Sequence, residues 1–265
     1  MSASPIITLL TDFGTADPFV ASMKGVILSI NPKATIVDIT HEIPPHGIRQ
    51  AAFVLKSAYR YFPKGTIHVV VVDPGVGGPR KPLLAVTPQA FFIAPDNGVL
   101  SYIYHENPST RVYELTAKRY RLKDYSSTFD GRDLFAPAAA RLSKGITPAQ
   151  MGLKIARYLK FPIPRPRRLG KNGLQGQVIH IDRFGNLITN ITAEDLKPWL
   201  SIGKTFTITI KDHTIKGLKQ FYGQASSSEL CALINSDDHI EIFCLQSSAQ
   251  SLLNITEDEP VVITG

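Results

Sequence analysis

The stretch Val69-Val70-Val71-Val72-Asp73-Pro74-Gly75-Val76-Gly77-Gly78-Pro79-Arg80 decides how the N-terminal half of this chain is read. Consecutive β-branched residues make a strand that is apolar on both faces, as inside a parallel sheet. The run stops at a carboxylate. Pro74 and the glycines then force a tight turn that neither a helix nor a strand can continue. Arg80 returns towards the same edge. In open α/β sheets ligands bind at the carboxyl ends of the strands, so a charged pair on such a loop marks a candidate site. The plainer reading is a loop carboxylate satisfied by backbone N–H groups beside a surface arginine.

Three other apolar runs end in the same way. Ile6 to Leu10 leads into Thr11-Asp12-Phe13-Gly14, Thr35 to Ile39 into Thr40-His41-Glu42, and Phe91 to Ala94 into Pro95-Asp96-Asn97-Gly98. Polar groups gathered at strand ends predict one shared crevice. Helical patterns alternate with these strands over Pro18 to Ile30, Ile48 to Tyr61 and Phe135 to Ser143. The fold class is therefore α/β, a largely parallel sheet with helices on both faces.

The chain changes character near Arg157 to Lys171. Pro162, Pro164 and Pro166 keep that basic segment extended, so it reads as an interdomain linker. Beyond it come short strands separated by turns. Gln177 to Asp182 and Leu187 to Ile191 flank Arg183-Phe184-Gly185-Asn186, Thr205 to Ile210 turns at Asp212-His213, and Leu230 to Ile234 turns into Ile240 to Leu245. Val261 to Thr264 closes the chain. This predicts a small antiparallel barrel or sandwich. The expected organisation is an α/β domain over 1–164, a linker over 165–172 and a β domain over 173–265.

With 265 residues, 43% of them hydrophobic and 19% charged, the composition is that of a soluble globular protein. No apolar run reaches the roughly 18 residues that span a bilayer. The N-terminus lacks a basic region followed by a cleavage site, so a cytoplasmic location is expected. Cys231 and Cys244, the only cysteines, exclude a disulfide framework and a cysteine-based zinc site. They flank an expected hairpin, placed to face each other across it, and read as small core residues. The net charge of +7 invites a nucleic-acid reading. It comes with no recognisable nucleic-acid module and no interleaved aromatics, so no nucleic-acid partner is expected. No Walker A sequence, no Gly-x-Gly-x-x-Gly after the first strand and no nucleophile elbow is present. His41 and His46 sit in a proline-broken loop that makes no convincing metal set, and no metal is expected.

Seven segments together resemble one family. They are Leu-Leu-Thr-Asp-Phe-Gly (9–14), Met23-Lys24-Gly25, Ile-Val-Asp-Ile-Thr-His (36–41), Val-Val-Asp-Pro-Gly-Val-Gly (71–77), Ala-Pro-Asp-Asn-Gly-Val-Leu (94–100), Gly-Arg-Asp-Leu-Phe-Ala-Pro (131–137) and Ile-Asp-Arg-Phe-Gly-Asn-Leu-Ile-Thr-Asn-Ile (181–191). In order and content they resemble the S-adenosyl-L-methionine hydroxide adenosyltransferases, relatives of enzymes that fluorinate or chlorinate the same molecule. The resemblance implies an N-terminal α/β domain and a C-terminal β-barrel. It also implies a homotrimer with adenosine bound between one subunit's N-terminal domain and a neighbour's barrel. The implied reaction is attack of water or hydroxide at the ribose C5′ carbon, giving adenosine and methionine. S-adenosyl-L-methionine is then the substrate, and no further cofactor is called for.

The same resemblance carries residue roles. Asp73 and Arg80 match the first two members of a catalytic Asp-Arg-His set, and Arg80 sets the chain apart from the halide-using branch. The third position departs from the pattern. The family reads Thr-Phe-His-Gly-Arg-Asp, whereas this chain has Thr128-Phe129-Asp130-Gly131-Arg132-Asp133. Asp130 is the expected third catalytic residue, either accepting a proton or pairing with Arg80; the alternative outcome is an adenosine-binding relative without turnover. Asp12, with Phe13 beside it, matches the ribose-binding aspartate, and Asp182 matches the residue that meets the methionine amino group. Phe184 is placed to stack on adenine, and Asn186 offers a donor and an acceptor to the base edge. Read without the family, Asp182 to Asn186 is a plain hairpin turn. Ser236 and Glu241 fall where the family's last hairpin closes over adenosine, although Asp237-Asp238 replaces its usual Ser-Gly.

Overall fold

The computed structural model describes residues 4–200 and 205–265; residues 1–3 and 201–204 of the two expected domains lie outside the described residues. The chain forms two units, Met1–Pro162 and Ile163–Gly265. In the first, β1 (Ile6–Thr11), β2 (Thr35–Thr40), β3 (Ile67–Val71), β4 (Pro82–Val86), β5 (Phe91–Pro95), β6 (Arg111–Glu114) and β7 (Leu153–Ile155) make one sheet in the order β2-β1-β3-β5-β4-β6-β7. β2, β1, β3 and β5 run parallel, and β4, β6 and β7 extend the sheet antiparallel from β5.

Alternation along the buried strands sorts side chains into two cores, because successive residues of a strand point to opposite faces. Ile7, Leu9, Val69, Val71, Leu84 and Ile93 pack on one face against α1 (Phe19–Ile30), and Leu10, Val70, Leu83 and Phe92 on the other against α2 (Ile48–Tyr59). α1 buries Val20, Met23 and Ile27, the spacing of one helix face. Helices α3 (Ser101–Glu106) and α4 (Ala136–Leu142) contribute to the second and first cores respectively. The sheet is thus covered on both faces, as the quadruple-valine run predicts.

One polar residue lies deep in this packing. His68 of β3 is fully buried, its Nδ1 2.8 Å from Thr8 Oγ1 and its ring stacked 5.1 Å from that of Phe92. Burial disfavours its charged form and lowers its pKa from 6.5 to about 4.

The second unit is antiparallel. Its strands are β8 (Arg167–Leu169), β9 (Gly173–Ile181), β10 (Leu187–Thr192), β11 (Thr207–Ile210), β12 (His213–Lys216), β13 (Leu230–Ile234), β14 (His239–Cys244) and β15 (Pro260–Thr264). The order β12-β11-β15-β9-β10-β14-β13, with β8 added on β9, wraps into a nearly closed barrel. Lys219, just past β12, donates its N–H to the Ala232 carbonyl of β13 at 2.8 Å and draws the two ends together. Val178, Leu187, Ile191, Trp199, Ile208, Ile242 and Ile263 are among the residues that fill the interior. The segment 165–172 therefore contains a short strand, β8, within the basic stretch read as a linker.

The cysteine expectation is corrected here. In the β13–β14 pairing Cys231 stands opposite Phe243, and Cys244 opposite Leu230. The offset of one residue puts the two thiols on opposite faces of the hairpin. Cys244 belongs to the barrel core and Cys231 to a separate small cluster, both buried and free.

Candidate active site

The order of the parallel strands fixes where a site is placed. From β1 the chain moves outward to β2 and then returns to the other side of β1 for β3, so the connections diverge at the carboxyl ends of β1 and β3. Such a switch point leaves a crevice. Thr11 and Val71 are register partners at this edge, and Asp12 and Asp73 follow them. Both line a pocket of about 680 Å³, together with Phe13, Asp130 and residues sequence reasoning had not assigned, including Phe19, His46, Phe129 and Arg132.

Only part of the expected crevice is assembled. His41 and Asp96, at the ends of β2 and β5, do not line this pocket. His41 instead links Thr11 Oγ1 (2.9 Å) to Asp38 (3.1 Å), which in turn holds Lys24 at 2.5 Å. Asp96 accepts the Leu159 N–H at 2.7 Å, and burial raises its pKa. A polar residue after a parallel strand thus has other uses, and two of the four expected ones are spent on fastening neighbouring segments.

The glycine-rich loop does what its sequence requires. Val76 N–H donates to the Asp73 carbonyl and Gly78 N–H to that of Gly75, two tight turns in succession. They bring Arg80 back onto the carboxylate that opened the loop. Its Nε and Nη2 donate to Asp73 Oδ2 at 2.9 and 2.5 Å, and Nη2 also donates to Asp130 Oδ2. Gly77 has φ +76°, and a Cβ there would lie 2.5 Å from the Ser127 carbonyl oxygen, so only glycine lets this loop close against residues 126–128.

Asp130 is delivered by a different device. It opens a π-helical turn, Gly131–Phe135, that runs directly into α4. Asp133, fully buried within the turn, accepts Ser126 N–H (2.8 Å) and Arg132 Nε (2.6 Å), while its carbonyl accepts Leu122 N–H (2.9 Å). The preceding loop is folded back by these bonds. Tyr125 on that loop donates its hydroxyl to Asp130 Oδ1 at 2.8 Å.

The result is a chain Asp73–Arg80–Asp130–Tyr125, largely buried as far as Asp130 and ending on the exposed Tyr125. The Asp73 side chain is 4% exposed and that of Asp130 2%. Burial opposes the Arg80 charge, yet the two carboxylates outweigh it and hold the pKa of the guanidinium above its ordinary value. Both oxygens of Asp130 are engaged. Asp73 Oδ1, by contrast, is buried without a hydrogen-bond partner among the described residues. Arg80 is not itself part of the pocket wall; it bridges two carboxylates that are. Beside them the rings of Phe13, Phe19 and Phe129 meet in tilted and edge-on pairs 5.4–5.8 Å apart.

On the pocket's other flank, Asp12 Oδ2 accepts the His46 N–H at 2.9 Å, with His46 held at φ +66°. Positive φ is rare for a residue with a side chain and is met at sites under structural constraint.

The second unit carries the other predicted residues. Asp182 builds its own turn: Oδ1 accepts the N–H groups of Phe184 and Asn186 at 2.9 Å, and Oδ2 accepts Asn186 Nδ2 at 3.0 Å. Gly185, at φ +81°, passes so close to Ser248 that no side chain fits there. Phe184 is left 76% exposed. Asp182, Phe184 and Asn186 line a hollow of about 570 Å³ with Tyr222 and Phe243. Glu241 and Ser236 are not in its wall. Glu241 is buried against Tyr222 Oη (2.7 Å) and Asn235 Nδ2 (3.1 Å), and burial raises its pKa despite these bonds. Ser236 is exposed on the β13–β14 turn.

Comparison with known proteins bears on both units. Residues 7–152 match the SAM hydroxide adenosyltransferase N-terminal domain, and residues 176–262 match the C-terminal domain of the same name. The chain belongs to the SAM hydroxide adenosyltransferase family. It is similar to the (R)-S-adenosyl-L-methionine hydrolase of Methanocaldococcus jannaschii, 36% identical with 94% of this chain and 92% of that protein covered. The protein of the same name from Salinispora tropica is 31% identical over the full length of both. A fluorinase from an Actinoplanes species is 29% identical over 74% of each chain. Among solved structures, an uncharacterized conserved protein from Thermotoga maritima aligns with a TM-score of 0.90 at 33% identity, covering 98% of this chain and all of the other. The adenosyltransferase assignment therefore spans the switch-point pocket and the Asp182 turn alike. Among the described residues, no group of three or more His, Cys, Asp or Glu is placed to hold a metal ion, and no helix is long and apolar enough to cross a membrane.

Proposed function

We propose that this protein hydrolyses S-adenosyl-L-methionine to adenosine and L-methionine by attack of water on the ribose C5′ carbon. Relatives named for that hydrolysis cover the whole chain and support the reaction class. The observation that carries the mechanism is that Asp73 lines the pocket and keeps one carboxylate oxygen, the buried Oδ1, without a hydrogen-bond partner among the described residues.

The chemistry asks little of the leaving group. When the C5′–sulfur bond breaks, its electron pair neutralises the sulfonium, so no proton donor is needed there. The hard partner is water, whose pKa of about 15.7 leaves almost no hydroxide at neutral pH. As its oxygen bonds to C5′ it must release a proton, and Asp73 Oδ1 is placed to accept it. Arg80 lies between Asp73 and Asp130 and hydrogen-bonds to both, so its charge offsets the repulsion between the two carboxylates. Asp130, with both oxygens taken, is the brace on Arg80 rather than the base.

Asp12 and Phe13 then hold the ribose end, with one oxygen of Asp12 fixed by His46 and the other left for a hydroxyl. Asp182, Phe184 and Asn186 form the adenine and methionine contacts, and the β13–β14 hairpin bearing Ser236 and Glu241 closes over adenosine in this reading. The reading retains a cytoplasmic homotrimer in which each site draws on two subunits, as the family resemblance implies; light scattering is the measure of that assembly.

Turnover in ¹⁸O-labelled water tests the reaction. Adenosine and methionine should appear in equal amounts, with the label in the 5′-hydroxyl of adenosine. Intact S-adenosyl-L-methionine, or unlabelled adenosine, would overturn it.

A further inference from the structure

We propose that Tyr125 is a positioning residue for this reaction, and that Tyr125 together with Asp130 takes the place of the histidine found at position 130 in the family pattern. The proposal rests on the hydrolase reading above. Nothing in the sequence marked Tyr125; its hydrogen bond does.

A neutral imidazole carries one donor and one acceptor on a rigid ring. A carboxylate carries acceptors only. Asp130 alone therefore reproduces one side of a histidine, the side that meets Arg80, and leaves a second oxygen to be satisfied. That oxygen is Oδ1, and the Tyr125 hydroxyl donates to it at 2.8 Å. At 2% side-chain exposure Asp130 has little water to turn to, and a buried carboxylate oxygen stripped of its donor is costly. The phenol answers the substitution.

The donor is also held in place. The Arg121 guanidinium lies 4.8 Å from the centre of the Tyr125 ring. The loop behind it is fastened to Asp133 through Leu122 N–H and Ser126 N–H. Burial, reinforced by the bond to Asp130, raises the Tyr125 pKa, so the phenol keeps its proton and remains a donor across the working range. Tyr125 is not in the pocket wall, so it acts through Asp130. The charged and titratable groups around Asp130 are Arg80, Asp73 beyond it, Tyr125, and Arg121 over the tyrosine ring. Losing the hydroxyl leaves Asp130 Oδ1 without its donor and the carboxylate free to swing, and Arg80 then loses one of its two anchors while Asp73 loses its fixed counter-charge.

The test places Tyr125→Phe in two backgrounds, the natural chain and Asp130→His, with thermal melts showing that each variant is folded. In the natural chain kcat should fall about ten-fold, the scale of one hydrogen bond to a charged group, with KM changed less than two-fold. In the Asp130→His background the same change should alter kcat less than two-fold. Equal losses in both backgrounds, or an undiminished kcat in the natural chain, would overturn the assignment. If Asp130→His does not turn over, the split in the natural chain decides: a KM that rises as much as kcat falls rejects Tyr125. Absence of turnover by the natural chain rejects the hydrolase reading and this assignment with it, whereas normal turnover by Tyr125→Phe rejects this assignment only.

Discussion

The two candidate regions, one in each unit, are built in opposite ways. In the first unit, the side chains of Asp73, Arg80 and Asp130 are largely buried, charged and committed to one another, with the neutral Tyr125 hydroxyl on Asp130 and one carboxylate oxygen left over. In the second, Asp182 spends its oxygens on its own turn and sets a phenylalanine ring out in solvent. Buried, mutually fixed charges suit a reacting centre, because preorganised groups need not reorient as charge develops. An exposed ring on a rigid turn suits recognition of a flat base. Under the proposed function, the first region would carry the chemistry and the second the binding.

That division is most exposed at Arg80. Arg80→Ala leaves two adjacent buried carboxylates without their cation, and Asp73→Asn removes the free acceptor; each should lower kcat by about 10²–10³-fold. Calorimetric affinity for adenosine should change far less. Equal losses in kcat and affinity would break the division.

A second check concerns what the first unit's burial costs. The pKa of His68 is lower in the folded chain, about 4, than the 6.5 of an unfolded one. Between these values the unfolded state binds more protons, so stability rises with pH through the window and is lost on acidification. The loss should approach about 3 kcal/mol by about pH 4. Denaturant unfolding should show His68→Phe losing correspondingly less than the natural chain over the same interval. An identical acid dependence would mean that His68 titrates normally.

The smallest effect belongs to the second unit. Phe184→Ala should raise KM about ten-fold, within the range of one base-on-aromatic stacking contact, and leave kcat within about two-fold. Its melting temperature should be unchanged, since the ring packs on little. A fall in kcat comparable with that of Arg80→Ala would place Phe184 in the chemistry and dissolve the contrast.

How far each half was legible follows from the same physics. β1, β3 and β5 were readable because strands inside a parallel sheet form nearly continuous apolar runs, and the edge strand β2 by its β-branched residues around Asp38. The antiparallel extension was not. Arg111–Glu114 buries only Val112 fully, and Leu153–Ile155 is largely exposed, so neither carries the hydrophobic signal of a core strand. Asp73 and Arg80 were marked by the turn between them. That Arg80 would sit behind its carboxylates depended on the π-helical turn that delivers Asp130, and a short run of polar residues does not announce such a turn. Tyr125 was invisible for a related reason, because its partner is fixed by the backbone of Asp133 and not by spacing. The cysteine pair failed on a one-residue register, the least that separates facing from opposed side chains.

The close approach of Gly77 to Ser127 has a consequence for how the molecule breathes. The loops bearing Arg80 and Asp130 come from distant parts of the chain, yet neither can lift without unseating the other. Residues 73–80 and 122–133 should therefore open as one cooperative patch, their amide protons exchanging with solvent at a common rate. The reactive charges would then be either all assembled or all dispersed, and a fluctuation that loosened only one of them would find no room to occur.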